Sequence, residues 1–121
     1  MDEATFEQMR RSIIEMAAEA WRFRQVFQCA MDKLDARDSA KYLSQYSWFS
    51  KKVDAALEIA GLHIVNLVGQ PFNIGMAVTP LNLNDFEPDE PLFVDQMIEP
   101  VIMDCEHVVK TGTVLLRRER Q

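Results

Sequence analysis

Residues 1–60 contain neither glycine nor proline, and residues 61–109 contain neither lysine nor arginine. The first absence removes the residues that interrupt helices and make tight turns, so this half can run in long regular segments. The second removes the cations that phosphate contacts need, which makes nucleic acid a poor partner for that half. Long hydrophobic runs are also missing. No stretch approaches the roughly 20 apolar residues of a membrane span, so no membrane association is expected. The opening segment MDEATFEQMR is acidic and has no apolar h-region, so a secretion signal is not expected and the anticipated location is the cytoplasm. Cysteine is scarce. Cys29 and Cys105 lie in no metal-type pair and are expected as lone buried thiols rather than as a disulfide. The four glycines, Gly61, Gly69, Gly75 and Gly112, are scattered and form no phosphate-binding loop.

Histidine is nearly absent too, with only His63 and His107. The run DCEH places Asp104, Cys105, Glu106 and His107 side by side. A nucleophilic cysteine needs a base within hydrogen-bonding distance and a third group to orient it. Neighbours along one turn seldom meet that geometry, so the run reads as a polar turn between strands, with a thiol hydrolase as the remote alternative. No finger-type spacing supports zinc. No catalytic residue, metal site or cofactor is expected, and the chain does not read as an enzyme.

What is present falls into two halves. Residues 1–60 carry nine Lys/Arg against ten Asp/Glu, whereas residues 61–121 carry four against nine. A basic protein surface suits the acidic half, because opposite potentials speed encounter. Solvated loop acids that aid solubility are the competing reading. Glycine and proline begin at Gly61, so the boundary is placed there: a helical dimerisation region over 1–60 and a small β domain over 61–121. Nearly half of the 121 residues are apolar, enough for a buried core.

In the first half Phe6, Met9, Ile13, Met16, Ala20, Phe23, Phe27, Ala30 and Leu34 alternate in steps of three and four. This is an a/d stripe sustained over four heptads. It predicts a helix over about residues 2–35, about 50 Å long at 1.5 Å per residue. So long a helix leaves little domain to cover it, which favours a stripe facing a second chain. Ile14, Trp21, Val26 and Met31 widen the apolar face, as in a bundle. A second series, Leu43, Tyr46, Ser50, Val53, Leu57 and Ala60, predicts another helix over about 39–60. Asp38 or Ser39 is expected to cap it and Gly61 to end it, with a break near Ala36–Asp38. Trp48 and Phe49 are expected to pack on the first helix or on its symmetry mate.

After Gly61 the periodicity becomes that of strands. LHIVNLV is short and β-branched. In LFVDQMIEPVIM the alternation puts Phe93, Asp95, Met97 and Glu99 on one face, with Pro100 marking an edge or a bulge. HVVKTGTVLLRR reads as a strand pair or as one strand bulged at Gly112. The fold class is therefore α+β: a long N-terminal helix in a dimeric coiled coil or bundle, a second helix, and a small all-β C-terminal domain.

From KYLSQYSWFSKKVDAALEIAGLHIV onward the chain resembles GrpE, the nucleotide exchange factor of DnaK-type chaperones. That family has an amphipathic helix at this place, ending in a glycine-containing turn that leads into a strand. A segment of the type Gly-x-Pro-Phe-Asp-Pro follows, then His-Glu-Ala. In GQPFNIGMAV, Gly69, Pro71 and Phe72 agree with it. Asn73 and Ile74 replace Asp-Pro, and only Ala77 and Val78 stand near the His-Glu-Ala place. Pro100-Val101 stands at the family's Gly-Tyr turn, Lys110 where it has an arginine, and Val114 leads into the closing strand.

The resemblance implies a homodimer of paired helices with a four-helix bundle and two small β domains, one of which contacts the ATPase lobes of the chaperone. It implies a co-chaperone that promotes ADP release from a DnaK-type ATPase or a specialised relative. On that basis Phe72, Ile74, Met76, Val78, Pro100, Val101 and Lys110 are expected to touch the partner, and the nine stripe residues to form the dimer interface. The alternative is a coiled-coil adaptor whose β domain binds an unrelated protein.

Overall fold

The computed structural model describes residues 2–119 and divides into two compact units between His63 and Ile64. It is an α+β chain, with two helices packed together followed by two small β-sheets. Helix α1 spans Glu3–Met31 and α2 spans Ala36–Ile59. Asp2 caps α1, its Oδ1 accepting from the Thr5 N–H at 2.8 Å. That backbone hydrogen bond, helped by the Thr5 side chain, holds the Asp2 carboxyl below the usual carboxylate range.

The break between the helices comes earlier than the periodicity suggests. Asp32 ends α1, and Asp35, not Asp38 or Ser39, caps α2, its Oδ1 accepting from the Asp38 N–H at 2.9 Å. Asp38 is thus the residue that receives the cap. The periodicity could not register this, because a capping carboxylate three positions upstream leaves the apolar spacing of the next helix unchanged. In consequence α1 is 29 residues, roughly 43 Å. Leu34 lies in the turn and not on a helical stripe. At the other end of α2, Ala60 is the cap residue and Gly61 follows at φ +75°, the left-handed conformation that glycine adopts at no steric cost.

The four-residue turn sends α2 back along α1. Phe27 stacks on Tyr46 with ring centroids 6.2 Å apart and meets Tyr42 edge-on at 6.4 Å. Phe23 meets Phe49 edge-on at 5.8 Å. Arg24 Nη1 lies 3.5 Å from Asp54 Oδ1. Aromatic pairs of this geometry contribute about 0.5–1.5 kcal/mol beyond the area they bury. They therefore fix the antiparallel register more firmly than this partly exposed ion pair. Phe49 thus sits on α1 of its own chain, while Trp48 is exposed, with Lys52 Nζ 5.7 Å from its ring centre.

The β unit is built on one long bent ribbon. Strand β3 (Leu92–Glu99) pairs antiparallel with β6 (Gly112–Arg118), and β4 (Val101–Met103) pairs antiparallel with β5 (Val108–Lys110). Pairing continues through the bend, with Glu99 opposite Thr113 and Ile102 opposite Lys110. The two halves nonetheless belong to different sheets. One has the order β1-β4-β5, with β1 (His63–Val65), and the other β2-β6-β3, with β2 (Val78–Pro80) parallel to β6. Pro100 separates β3 from β4, because proline cannot donate to a ladder. HVVKTGTVLLRR therefore forms two strands that pair with neighbours in different sheets, not with each other, and Gly112 opens a strand instead of bulging one.

The expected faces of β3 also change. Register shifts fall between Val94 and Gln96 and between Met97 and Glu99. Each inserted residue flips the phase of everything after it, so Leu92, Val94 and Met97 share the buried side. Across from them lie Val114 and Leu116. Together with Ile102, which is fully buried, they form the core of the β unit.

Asn82 extends β2 without being in it. Its Oδ1 accepts from the Leu116 N–H at 2.8 Å and its Nδ2 donates to the Leu116 carbonyl at 2.9 Å. The side-chain amide thus imitates one more peptide of the parallel ladder. Asn82→Ala is expected to cost about 1–3 kcal/mol, because two partly buried backbone groups lose their partner. Chemical denaturation of the full chain, with Asn84→Ala as the control, measures it.

Candidate partner-binding surfaces

In the helical unit the a/d stripe lies only partly under α2. Phe27 and Ala20 are half-buried between the helices, but Phe6, Met9 and Phe23 are exposed and Met16 is 73% exposed. Ala17, Ala18, Trp21 and Met31 are the buried residues of α1, and all four lie beside the strict stripe, not on it. An open groove of about 420 Å³ runs between the helices, lined by Ile13, Met16, Ala17 and Ala20 from α1 and by Phe49, Val53, Ala56 and Leu57 from α2. A second recess of about 220 Å³ adjoins Phe23, Phe27, Tyr46 and Trp48. Ala30 is exposed at the end of α1. The stripe is therefore wider than one antiparallel neighbour can cover, and its outer edge faces water.

In the β unit the residues expected to touch a partner separate into groups. Pro100 and Val101 are buried in the bend, and as interior residues they offer nothing to a partner. The family-like alignment placed them at a turn, but the ribbon continues through them into β4. Lys110 Nζ lies 3.3 Å from Glu99 Oε2, while Glu99 Oε1 accepts from Thr113 Oγ1 at 2.7 Å. Val78 is half-buried in β2, and Met76 is half-buried just before it. Phe72 and Ile74 line a cleft of about 520 Å³.

That cleft is made by two segments. On one side the chain from Gly69 to Phe72 runs along β3. The Gly69 N–H donates to the Val94 carbonyl, the Val94 N–H to Gln70 and the Phe72 N–H to Leu92, at 2.8–3.0 Å. Asn73 then turns the chain, its Oδ1 accepting from the Gly75 N–H at 2.9 Å. Ile74, at the tip of this turn, is 95% exposed. On the other side Leu83–Asp85 form one 3-10 turn, and residues 86–90 follow. Pro88-Asp89 occupies the corner of a turn in which Asp89 takes φ +65°, and the Glu90 N–H donates to the Glu87 carbonyl at 3.3 Å. Aspartate tolerates the left-handed region better than most residues.

Arg118 fixes this second wall. Its Nε pairs with Glu90 Oε1, and its guanidinium lies 5.1 Å from the centre of the Phe86 ring. The hydrogen bond from Arg118, then that from the Glu87 N–H, holds the Glu90 carboxyl below the usual carboxylate range. Around the cleft, then, Glu90 has its cation. Asp85, Glu87 and Asp89 have none among the described residues. The sequence reading missed Asn82, Phe86 and Arg118. The proline-bracketed FEPDEP was the available signal, since a chain that turns that sharply must hold its aromatic side chain somewhere.

The DCEH run forms the β4–β5 turn. Asp104 Oδ1 accepts from the Glu106 N–H at 2.9 Å and the His107 N–H at 2.6 Å, and Cys105 and His107 are exposed. The Asp104 carboxylate is thus occupied in shaping the turn. Cys29 is exposed on α1, so neither cysteine is the buried thiol expected: one lies on the outer side of a helix and the other at the tip of a turn. Among the described residues no helix is long and apolar enough to cross a membrane.

No family model, no curated protein and no solved structure matches this chain.

Proposed function

We propose that this chain is a GrpE-like nucleotide exchange factor, a cytoplasmic homodimer that binds the ATPase of a DnaK-type chaperone or of a specialised relative and promotes ADP release. One observation carries the reading: α1 keeps an exposed apolar stripe, from Phe6 through Met16 to Phe23, after α2 has folded against it. A second copy is the natural cover for a long, self-complementary helical face. The acidic β unit then supplies the half that meets the partner. The order of elements supports the same reading, as do Gly69, Pro71 and Phe72.

Such a factor performs no chemical step. It binds the open form of the ATPase better than the closed, ADP-holding form, and its effect equals that difference in affinity. Weakening ADP about a thousandfold takes about 4 kcal/mol of coupling. ADP must weaken the factor by the same amount. The unpaired carboxylates of the β unit raise the encounter rate with a basic lobe, and the apolar groups beside them supply the buried contact. The test is release of fluorescent ADP from DnaK-type ATPases with and without the protein. Accelerated release into a chase of excess unlabelled ADP, which blocks rebinding, is expected. An unchanged ADP off-rate at saturating protein rules the reading out.

A dimerisation adaptor with an unrelated partner is the second reading. It is favoured by Ile74, a bare aliphatic side chain where the family segment has a proline. A pull-down that brings down no ATPase of the actin-like fold, from a lysate in which the DnaK-type chaperone is present, selects it.

A further inference from the structure

We propose that the cleft between the Asn73–Gly75 turn and the Leu83–Glu90 segment is a docking site for a protein segment that presents one bulky apolar side chain flanked by lysine or arginine. The site lies entirely within the β unit. It holds whether the partner is the ATPase proposed above or another protein.

Three observations converge on that chemistry. The first is the volume, about 520 Å³, which lies within the roughly 300–1,000 Å³ that binding clefts occupy. Its apolar lining comes from Phe72, Ile74, Leu83 and Phe86. The second is Ile74. This branched aliphatic side chain stands almost wholly in water beside the cleft, and no described residue covers it. Among apolar side chains at a loop tip, one that a partner covers regains the burial the fold withholds. The third is charge. Glu87 and Asp89 line the cleft and Asp85 stands between its lining residues in the chain, yet no cation of the described residues reaches any of them. The chain supplies no lysine or arginine from Gly61 to Val109 that could do so. Among the described residues these carboxylates have no cation, and a partner with basic residues on both sides of its apolar anchor meets them while the anchor fills the floor.

Both walls are held before any partner arrives. Arg118 ties Phe86 and Glu90 to the end of β6, and the Phe72 N–H, bonded to Leu92, ties the opposite wall to β3. Little ordering is left to oppose binding, which favours short segments. Among the described residues, the two arginines at the end of β6 are already engaged. Arg117 lies 3.8 Å from Asp95, and Arg118 is committed to Glu90.

The probe is a labelled peptide with a single leucine or phenylalanine between two arginines, titrated against the full chain by fluorescence anisotropy. A matching peptide with glutamates in place of the arginines is the control, and no nucleotide or chaperone is present. Saturable binding of the basic peptide only, weakened by added salt, is expected. Ile74→Asp and, separately, the pair Glu87→Gln with Asp89→Asn should each weaken it about tenfold or more. These positions are exposed, and asparagine keeps the left-handed backbone at 89, so circular dichroism should show all variants folded. Equal affinity for the basic and acidic peptides, unchanged affinity in both variants, or no saturable binding of the basic peptide overturns the proposal. So does a fall in the mass of the wild-type protein on Ile74→Asp, which would assign the cleft to a second copy. Because the assay contains no ATPase, its failure leaves the ADP-release result standing by itself, and the reverse holds too.

Discussion

Met16→Asp combined with Phe23→Asp is expected to halve the solution mass of the protein, to near the 14.0 kDa of one chain, with helicity retained. Phe27 packs on Tyr42 and Tyr46 of its own chain, so an aspartate there would damage the hairpin itself. Phe23 also meets Phe49 and Phe27 of its own chain, so part of its cost falls on the hairpin, but it is far more exposed than the half-buried Phe27. Met16 is 73% exposed and Phe23 57% exposed, so charges at these sites are solvated in the isolated chain. In a dimer they would be two buried, unpaired carboxylates in each copy, which costs several kcal/mol per site and exceeds what a marginal helical interface supplies. Light scattering gives the mass, and circular dichroism reports the helices. ADP release by the same variant should fall to the rate of the ATPase alone. A double variant that keeps the wild-type mass would show that the stripe is not the interface, and a wild-type chain that is already monomeric would remove the dimer altogether.

The second large effect is expected at Gly112, a buried glycine at the start of β6 with β3 and β4 against it. A Cβ built there would lie 3.0 Å from the Glu99 carbonyl oxygen, 3.0 Å from Val101 Cγ2 and 3.2 Å from Met97 Cε. Met97 can yield, since its thioether chain is flexible. The Glu99 carbonyl cannot, because it is backbone of β3, and Val101 sits in the interior of the bend. Gly112 also donates its N–H to the Ala77 carbonyl at 2.9 Å, which anchors the start of β2 against β6. Gly112→Val therefore forces the sheets apart at a point fixed from three sides. The expected loss is about 3 kcal/mol or more, at the upper end of what overpacking costs, and Gly112→Ala should lose about 1–3 kcal/mol. The loss should appear as a separate early transition in denaturation followed by near-ultraviolet dichroism. The far-ultraviolet signal from α1 and α2 should persist, because the helices belong to a compact unit of their own. Unchanged stability of the valine variant would mean that the bend is not packed as described.

The sequence and the structure agree most closely where the physics is local. Freedom from glycine and proline, plus three-four spacing, is enough to specify two helices, and a glycine after Ala60 is enough to end the second. Proline at position 100 is enough to end a strand. These features depend on neighbours a few residues apart and on the φ each residue tolerates. The helix boundary near Leu34 was placed wrongly for a related reason. Asp35 and Asp38 are equally good capping residues, and only the hydrogen bond that forms tells them apart. The faces of β3 were misread because period-two alternation presumes an unbroken ladder. A bulge is chosen by how the partner strand fits, and β6 imposes two of them.

Of the candidate sites, Phe72 and Ile74 could be picked from the chain, but their companions could not. Leu83 and Phe86 reach the same cleft from about ten residues further along, and Arg118 braces it from the far end of the β unit. Such groupings arise when strands distant in sequence pair, and no periodicity carries that information. The acids of residues 85–90 look alike on paper. The fold neutralises Glu90 and leaves Glu87 and Asp89 facing the cleft.

Composition and spacing by themselves decided the class of fold, the division into a helical and a β half, the sign of charge on each, and the presence of more apolar helical surface than one helix pair can bury. Tertiary structure alone decided how much of that surface α2 covers, which side of β3 is interior, that Pro100 and Val101 are core, and which carboxylates have partners. The division follows range. Backbone propensity and periodicity act within a turn or two of chain, whereas coverage, neutralisation and cleft formation depend on which remote segments meet.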